Sequence, residues 1–84
     1  MKLILSPAAL KGLRKLPTRD AAAMLAALKE IAADPFGQHA KAKKLTDHPG
    51  YRARHGEWRA VYRLDRQSDE MVVDRVNHRS EVYR

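Results

Sequence analysis

The sequence predicts an α+β fold in one domain spanning residues 1–84: an N-terminal strand, an antiparallel helical hairpin, then a three-stranded antiparallel run that completes a small twisted sheet, in the order β-α-α-β-β-β. Three observations carry this expectation. Pro7, Pro17, Pro35 and Pro49 divide the chain, because a proline pushes the residue before it out of the helical region. Between Pro7 and Pro35 the apolar residues recur every third or fourth position, the period of a helix face. From Tyr51 onwards they alternate with charged residues, the period of a half-buried strand.

Each element follows from local chemistry. Leu3-Ile4-Leu5 is a short apolar strand. Ser6 suits an N-cap with Pro7 at the first helical position, and Leu10, Leu13 and Leu16 draw one apolar stripe along a helix from Pro7 to Lys15. Thr18 is assigned as a second N-cap and Asp20 favours the positive helix end; Met24, Leu25, Leu28 and Ile31 then build a second helix that stops at Asp34-Pro35. Gln38 to Gly50 shows no period and is assigned as a basic loop with one helical turn around Lys43 to Leu45. In the first strand after Pro49-Gly50, Tyr51, Ala53 and His55 face one way and Arg52 and Arg54 the other. Gly56-Glu57 makes a tight connection to a second strand with Trp58, Ala60, Tyr62 and Leu64 on one face and Arg59, Val61 and Arg63 on the other. The polar run Asp65 to Asp69 turns the chain into a third strand, from Met71 to about His78. Tyr51, Trp58 and Tyr62 are assigned to the core, since one aromatic face must meet the helices; stacking on a base is the alternative role for Tyr51 or Trp58.

Composition excludes several function classes. The chain has no cysteine, which removes disulfide scaffolds, thiol nucleophiles and the common zinc-finger and iron-sulfur ligand sets. His39, His48, His55 and His78 are scattered, so no metal and no cofactor is expected. The longest apolar stretch, Ala21 to Leu28, is far short of the roughly 20 residues a membrane span needs, and the chain is expected to be cytoplasmic and unprocessed. An 84-residue domain buries a modest core, so a stabilising partner is expected.

The formal net charge is +7, and it is concentrated: Gln38 to Arg66 holds eight basic and three acidic residues. Lys41, Lys43 and Lys44 lie in the loop; Arg52, Arg54 and Arg59 share one face of a hairpin, where like charges repel. An anionic ligand is the simplest compensation, because guanidinium forks match phosphate bidentately. This basic middle is therefore the candidate anion-binding surface, the alternative being a solvated basic face that aids solubility.

The run Tyr51-Arg52-Ala53-Arg54-His55-Gly56-Glu57-Trp58-Arg59-Ala60-Val61-Tyr62-Arg63, with Val76-Asn77-His78-Arg79-Ser80-Glu81-Val82-Tyr83-Arg84, resembles the RelE/ParE superfamily of type II toxins, on its RelE-like branch, over the whole chain. The resemblance implies a ribosome-dependent mRNA endoribonuclease that enters the ribosomal A site, cuts mRNA and stops translation. It also implies an acidic antitoxin, encoded alongside, that silences it. Arg52 and Arg54 match the family's basic pair on the early strand and Arg59 its next-strand arginine; Arg79 best matches the arginine near the end of the last strand, and Tyr83 the terminal tyrosine. Ending at Arg84, the sequence is expected to lack the C-terminal helix that covers the site in some relatives. In such chemistry the RNA 2′-hydroxyl is the nucleophile. Arg59 and Arg79 would stabilise charge on five-coordinate phosphorus, with Tyr83 assisting proton transfer. Two rival readings share the fold: a ParE-like toxin that poisons DNA gyrase without nuclease activity, and a basic face that only binds. His55 and His78 are either auxiliary acid-base groups or ordinary strand-end histidines, and Glu57 is either a base or a surface residue.

Overall fold

The computed structural model describes residues 1–46 and 48–82. The elements are β1 (Lys2–Leu5), α1 (Pro7–Arg14), α2 (Thr18–Ala33), β2 (Ala42–Lys44), β3 (Tyr51–His55), β4 (Trp58–Asp65), β5 (Glu70–His78) and α3 (Arg79–Val82). They form one five-stranded sheet in the order β1-β5-β4-β3-β2, with α1 packed mainly on β5 and α2 on β3 and β1. The α+β architecture is the one expected, with one sheet assembled around two helices.

Three local expectations are corrected. Lys43 to Leu45 is not a helical turn: Ala42–Lys44 is an edge strand, pairing Ala42 with Ala53, Lys43 with Arg52 and Lys44 with Tyr51. Three residues are too few to display a period of two, and what orders them is the open hydrogen-bonding edge of β3, which includes Arg54 N–H donating to Lys41 O at 2.9 Å. The sheet is mixed rather than wholly antiparallel, because β1 runs parallel to β5, Leu3 beside Met71 and Leu5 beside Val73. Thr18 is the first residue of α2 rather than its cap; Pro17 holds the cap position and makes no side-chain cap bond. Ser6 caps α1 as expected, its Oγ accepting from Ala9 N–H at 3.0 Å. Gly56 opens the β3–β4 turn with φ +57, the left-handed conformation that a two-residue hairpin asks of its first central residue.

One irregularity organises the sheet. In β5 the register passes from Val76 opposite Ala60 and Arg75 opposite Val61 to Val73 opposite Tyr62, so Asp74 is an extra residue. Strict alternation would put Val73 and Val76 on opposite faces, whereas the bulge lets Met71, Val73 and Val76 all face the helices, each fully buried. They pack with Ala9, Met24, Leu28, Ile31, Ala53, Ala60 and Tyr62. The bulge is also tied to α1, since Ser6 Oγ donates to Asp74 O at 2.7 Å.

Gly12 lets α1 lie directly on the backbone of β5: a β-carbon there would sit 1.8 Å from Val76 O. Gly12→Ala should therefore destabilise the domain despite alanine's better helix propensity. The expected loss is about 1–3 kcal/mol, read as a thermal midpoint lower by roughly 5–20 °C; an unchanged midpoint would show that α1 can lift off the strand at no cost.

Burial, with Tyr51 stacked beside it, pushes the Tyr62 phenol up from 10.0 to about 12. The unfolded phenol loses its proton first as pH rises, so the contribution is complete below pH 10 and is lost between pH 10 and about 12. Comparing urea midpoints with those of Tyr62→Phe over that range should isolate a fall of roughly 2–3 kcal/mol that the variant lacks.

Candidate nucleic-acid interface

The helices cover one face of the sheet; the other carries the arginines. Register places Arg54 directly opposite Arg59, and Arg59 opposite Asn77. One step along the strands, Lys43, Arg52, Val61 and Arg75 form a second row. Val61, in the middle of that row, is only 4% exposed.

Arg59 is the most constrained of the cluster. Its Nη1 donates to Gly56 O at 2.7 Å and to Trp58 O at 3.0 Å, while its Nε is buried with no partner. Burial lowers its pKa below the ordinary guanidinium value, and repulsion from Arg52, Arg54 and Arg79 adds to this, with Glu57 acting in the opposite sense. Arg79 is anchored twice to the β3–β4 turn: its backbone N–H donates to Glu57 O at 2.7 Å and its Nε pairs with Glu57 Oε2. Arg52, Arg59, Arg79 and Ser80 line an open cleft of about 470 Å³. A second groove, lined by Lys41, Lys43, Arg52 and Arg54, continues from it to the β2 edge.

The structure therefore brings together Arg52, Arg54, Arg59, Arg79, Lys41 and Lys43. Lys44 is the exception: opposite Tyr51, it belongs to the helix-side face of the sheet. Tyr83 lies outside the described residues. His55 is also turned to the helix side, where its Nε2 meets Asp20 Oδ1 at 3.1 Å, away from the arginines. His78 stands edge-on to Trp58, with centroids 5.3 Å apart, and its Nδ1 meets Ser80 Oγ at 3.1 Å. Glu57 is the counter-ion of Arg79. Arg63 is neutralised by Asp74 at 3.1 Å. Sequence reasoning missed Asn77 and Arg75 as members of the arginine face; their signal was the alternation of β5, broken by the extra residue at Asp74. Among the described residues no group of three His, Asp or Glu side chains could hold a metal, and no helix is long and apolar enough to cross a membrane.

Residues 3–83 match the family described as ParE toxin of type II toxin-antitoxin system. This chain belongs to the RelE/ParE superfamily of type II toxins. Solved structures agree with that placement. The RelBE2 toxin-antitoxin complex of Mycobacterium tuberculosis is similar at 28% identity and a TM-score of 0.77, over 93% of this chain and 96% of that one. The isolated RelE toxin of Escherichia coli is similar at 26% identity and 0.76, over 98% and 89%. The intact E. coli RelBE complex is similar at 25% identity and 0.78, over 92% and 94%. A comparison with curated proteins returns no significant match.

The crowding of this toxin's arginine face should be measurable as stored repulsion. Arg54→Gln removes the charge directly opposite Arg59 and should raise the thermal midpoint by about 2–4 °C at low salt, a gain that shrinks at high salt as screening replaces the deletion. A lower midpoint at both salts would mean that Arg54 stabilises the fold rather than loading it.

Proposed function

We propose that this toxin is a metal-independent, ribosome-dependent mRNA endoribonuclease that cleaves the message in the A site and inhibits translation, acting in the cytoplasm as a single domain over residues 1–84. The observation that carries the reading is the convergence of Arg52, Arg59 and Arg79 on one cleft, with Glu57 the nearest counter-charge. A phosphodiester supplies the anion this arrangement needs. In the reaction the RNA 2′-oxygen attacks the adjacent phosphorus and gives up its proton. The bond from phosphorus to the 5′-oxygen breaks, and that oxygen gains a proton, leaving a cyclic phosphate and a 5′-hydroxyl. Arg59, already held by two carbonyls, offers Nη2 to the charge that develops on phosphorus without first having to be ordered. Arg79, steered by Glu57, supplies a second cation from the other side of the cleft. Tyr83, assigned by the family resemblance, serves proton transfer. Arg52, Arg54, Lys41 and Lys43 grip flanking phosphates. The partner is an acidic cognate antitoxin, encoded alongside; two of the similar structures are toxin-antitoxin complexes.

The family description names ParE toxins, which favours one second reading, poisoning of DNA gyrase with no nuclease step. One experiment separates the two. Primer extension in a translating extract should show cuts within codons only when ribosomes are present. Tyr83→Phe should slow single-turnover cleavage by about 10²- to 10⁴-fold with ribosome binding nearly intact, and Arg59→Lys should slow it by keeping the charge but losing the anchored fork. Intact message with gyrase-dependent DNA breaks would establish the ParE-like reading instead.

A further inference from the structure

The helix-side face of the sheet is not wholly covered. Helix α2 ends at Ala33, and the loop that follows stands off from β2, β3 and β4, leaving a cleft of about 590 Å³ between them, within the range of small-ligand sites. Its floor is aromatic: Tyr51 and Tyr62 stack with centroids 5.3 Å apart and planes 12° from parallel. Tyr62 is buried, whereas Tyr51 is only half-buried. Register places Tyr62 on one side of Tyr51 and Lys44 of the edge strand on the other, so the column of parallel rings ends at Tyr51 beside a lysine.

The wall opposite is held in place. His39 Nε2 meets Asp34 O at 2.7 Å, bracing the loop against the end of α2. Phe36 lies under the guanidinium of Arg66, 4.1 Å from ring centroid to Cζ, which ties the loop to the β4–β5 turn. Lys43 and Lys44 both line the cleft, and among its described lining residues there is no carboxylate. Lys43 lines the basic groove with Arg52 and Arg54 as well, so one side chain of the β2 edge joins the two sites.

We propose that this cleft is a second nucleotide subsite, in which one base of a single RNA strand stacks on Tyr51 while Lys43 and Lys44 hold its phosphates. The proposal rests on the reading of the arginine face as an RNA-binding surface: the strand that crosses that face continues round the β2 edge. An aromatic floor with a cationic rim fits a nucleotide, since every base has a stacking face and every linkage a negative charge.

The test uses the purified toxin and a single-stranded RNA carrying the fluorescent base 2-aminopurine at successive positions. At one position, beyond the segment on the arginine face, the wild-type chain should quench the base by stacking. Tyr51→Phe should keep that quenching. Tyr51→Leu should abolish it and weaken RNA binding by about 5- to 150-fold, and Lys44→Gln should lower the salt slope of binding by about 0.7. Undiminished quenching in Tyr51→Leu, quenching at no position, or displacement of the effect by an acidic peptide but not by unlabelled RNA would each overturn the subsite. Ribosome-dependent cleavage, measured separately, reports on the arginine face: an inactive toxin that still stacks the base would refute the nuclease reading and leave the subsite standing.

Discussion

The extra residue in β5, Asp74, sets both faces of the sheet. On the helix side it allows Met71, Val73 and Val76 to share one surface, and α1 can then settle on that surface through Gly12. On the open side it brings Asp74 to Arg63 and leaves Asn77 opposite Arg59. The bond from Ser6 Oγ to Asp74 O couples the bulge to the cap of α1, so the start of the helical layer and the twist of the longest strand are fixed together. Loss of this irregularity would turn one end of β5 inside out, exposing valines and burying charge.

A domain of 84 residues has little stability to spare, and this one devotes much of one sheet face to cations. Arg59 shows what that costs. Its Nε is buried without a partner, and three neighbouring guanidinium groups oppose its charge. An anion placed among Arg52, Arg59 and Arg79 would reverse the sign of that repulsion, and it would meet Arg59 already held by two carbonyls.

Edge strand β2 links the two sides of the sheet. It is three residues long and strongly basic, features that keep an exposed strand edge from recruiting another sheet. Alternation along it sends Lys43 towards Arg52 and Lys44 towards Tyr51. A strand too short to build much of the core thereby distributes charge to two clefts.

Legible in the sequence alone were the order of the six larger elements, the Ser6 cap, the proline boundaries, the aromatic face of the hairpin and the grouping of Arg52, Arg54 and Arg59. Each of these is a local property, legible from a period of two or 3.6 or from one residue's backbone preference. The sequence also carried the family resemblance that residues 3–83 bear out. Tertiary structure alone decided the rest. The parallel pairing of β1 with β5 joins residues nearly seventy positions apart, which no local pattern encodes. The β2 strand exists because β3 offers unpaired backbone groups, the separation of Lys44 from its neighbours follows from that pairing, and Asn77 joins Arg59 because a bulge shifts the register. Residue type and spacing set what each segment can bury; only the assembled sheet sets which charges must stand side by side.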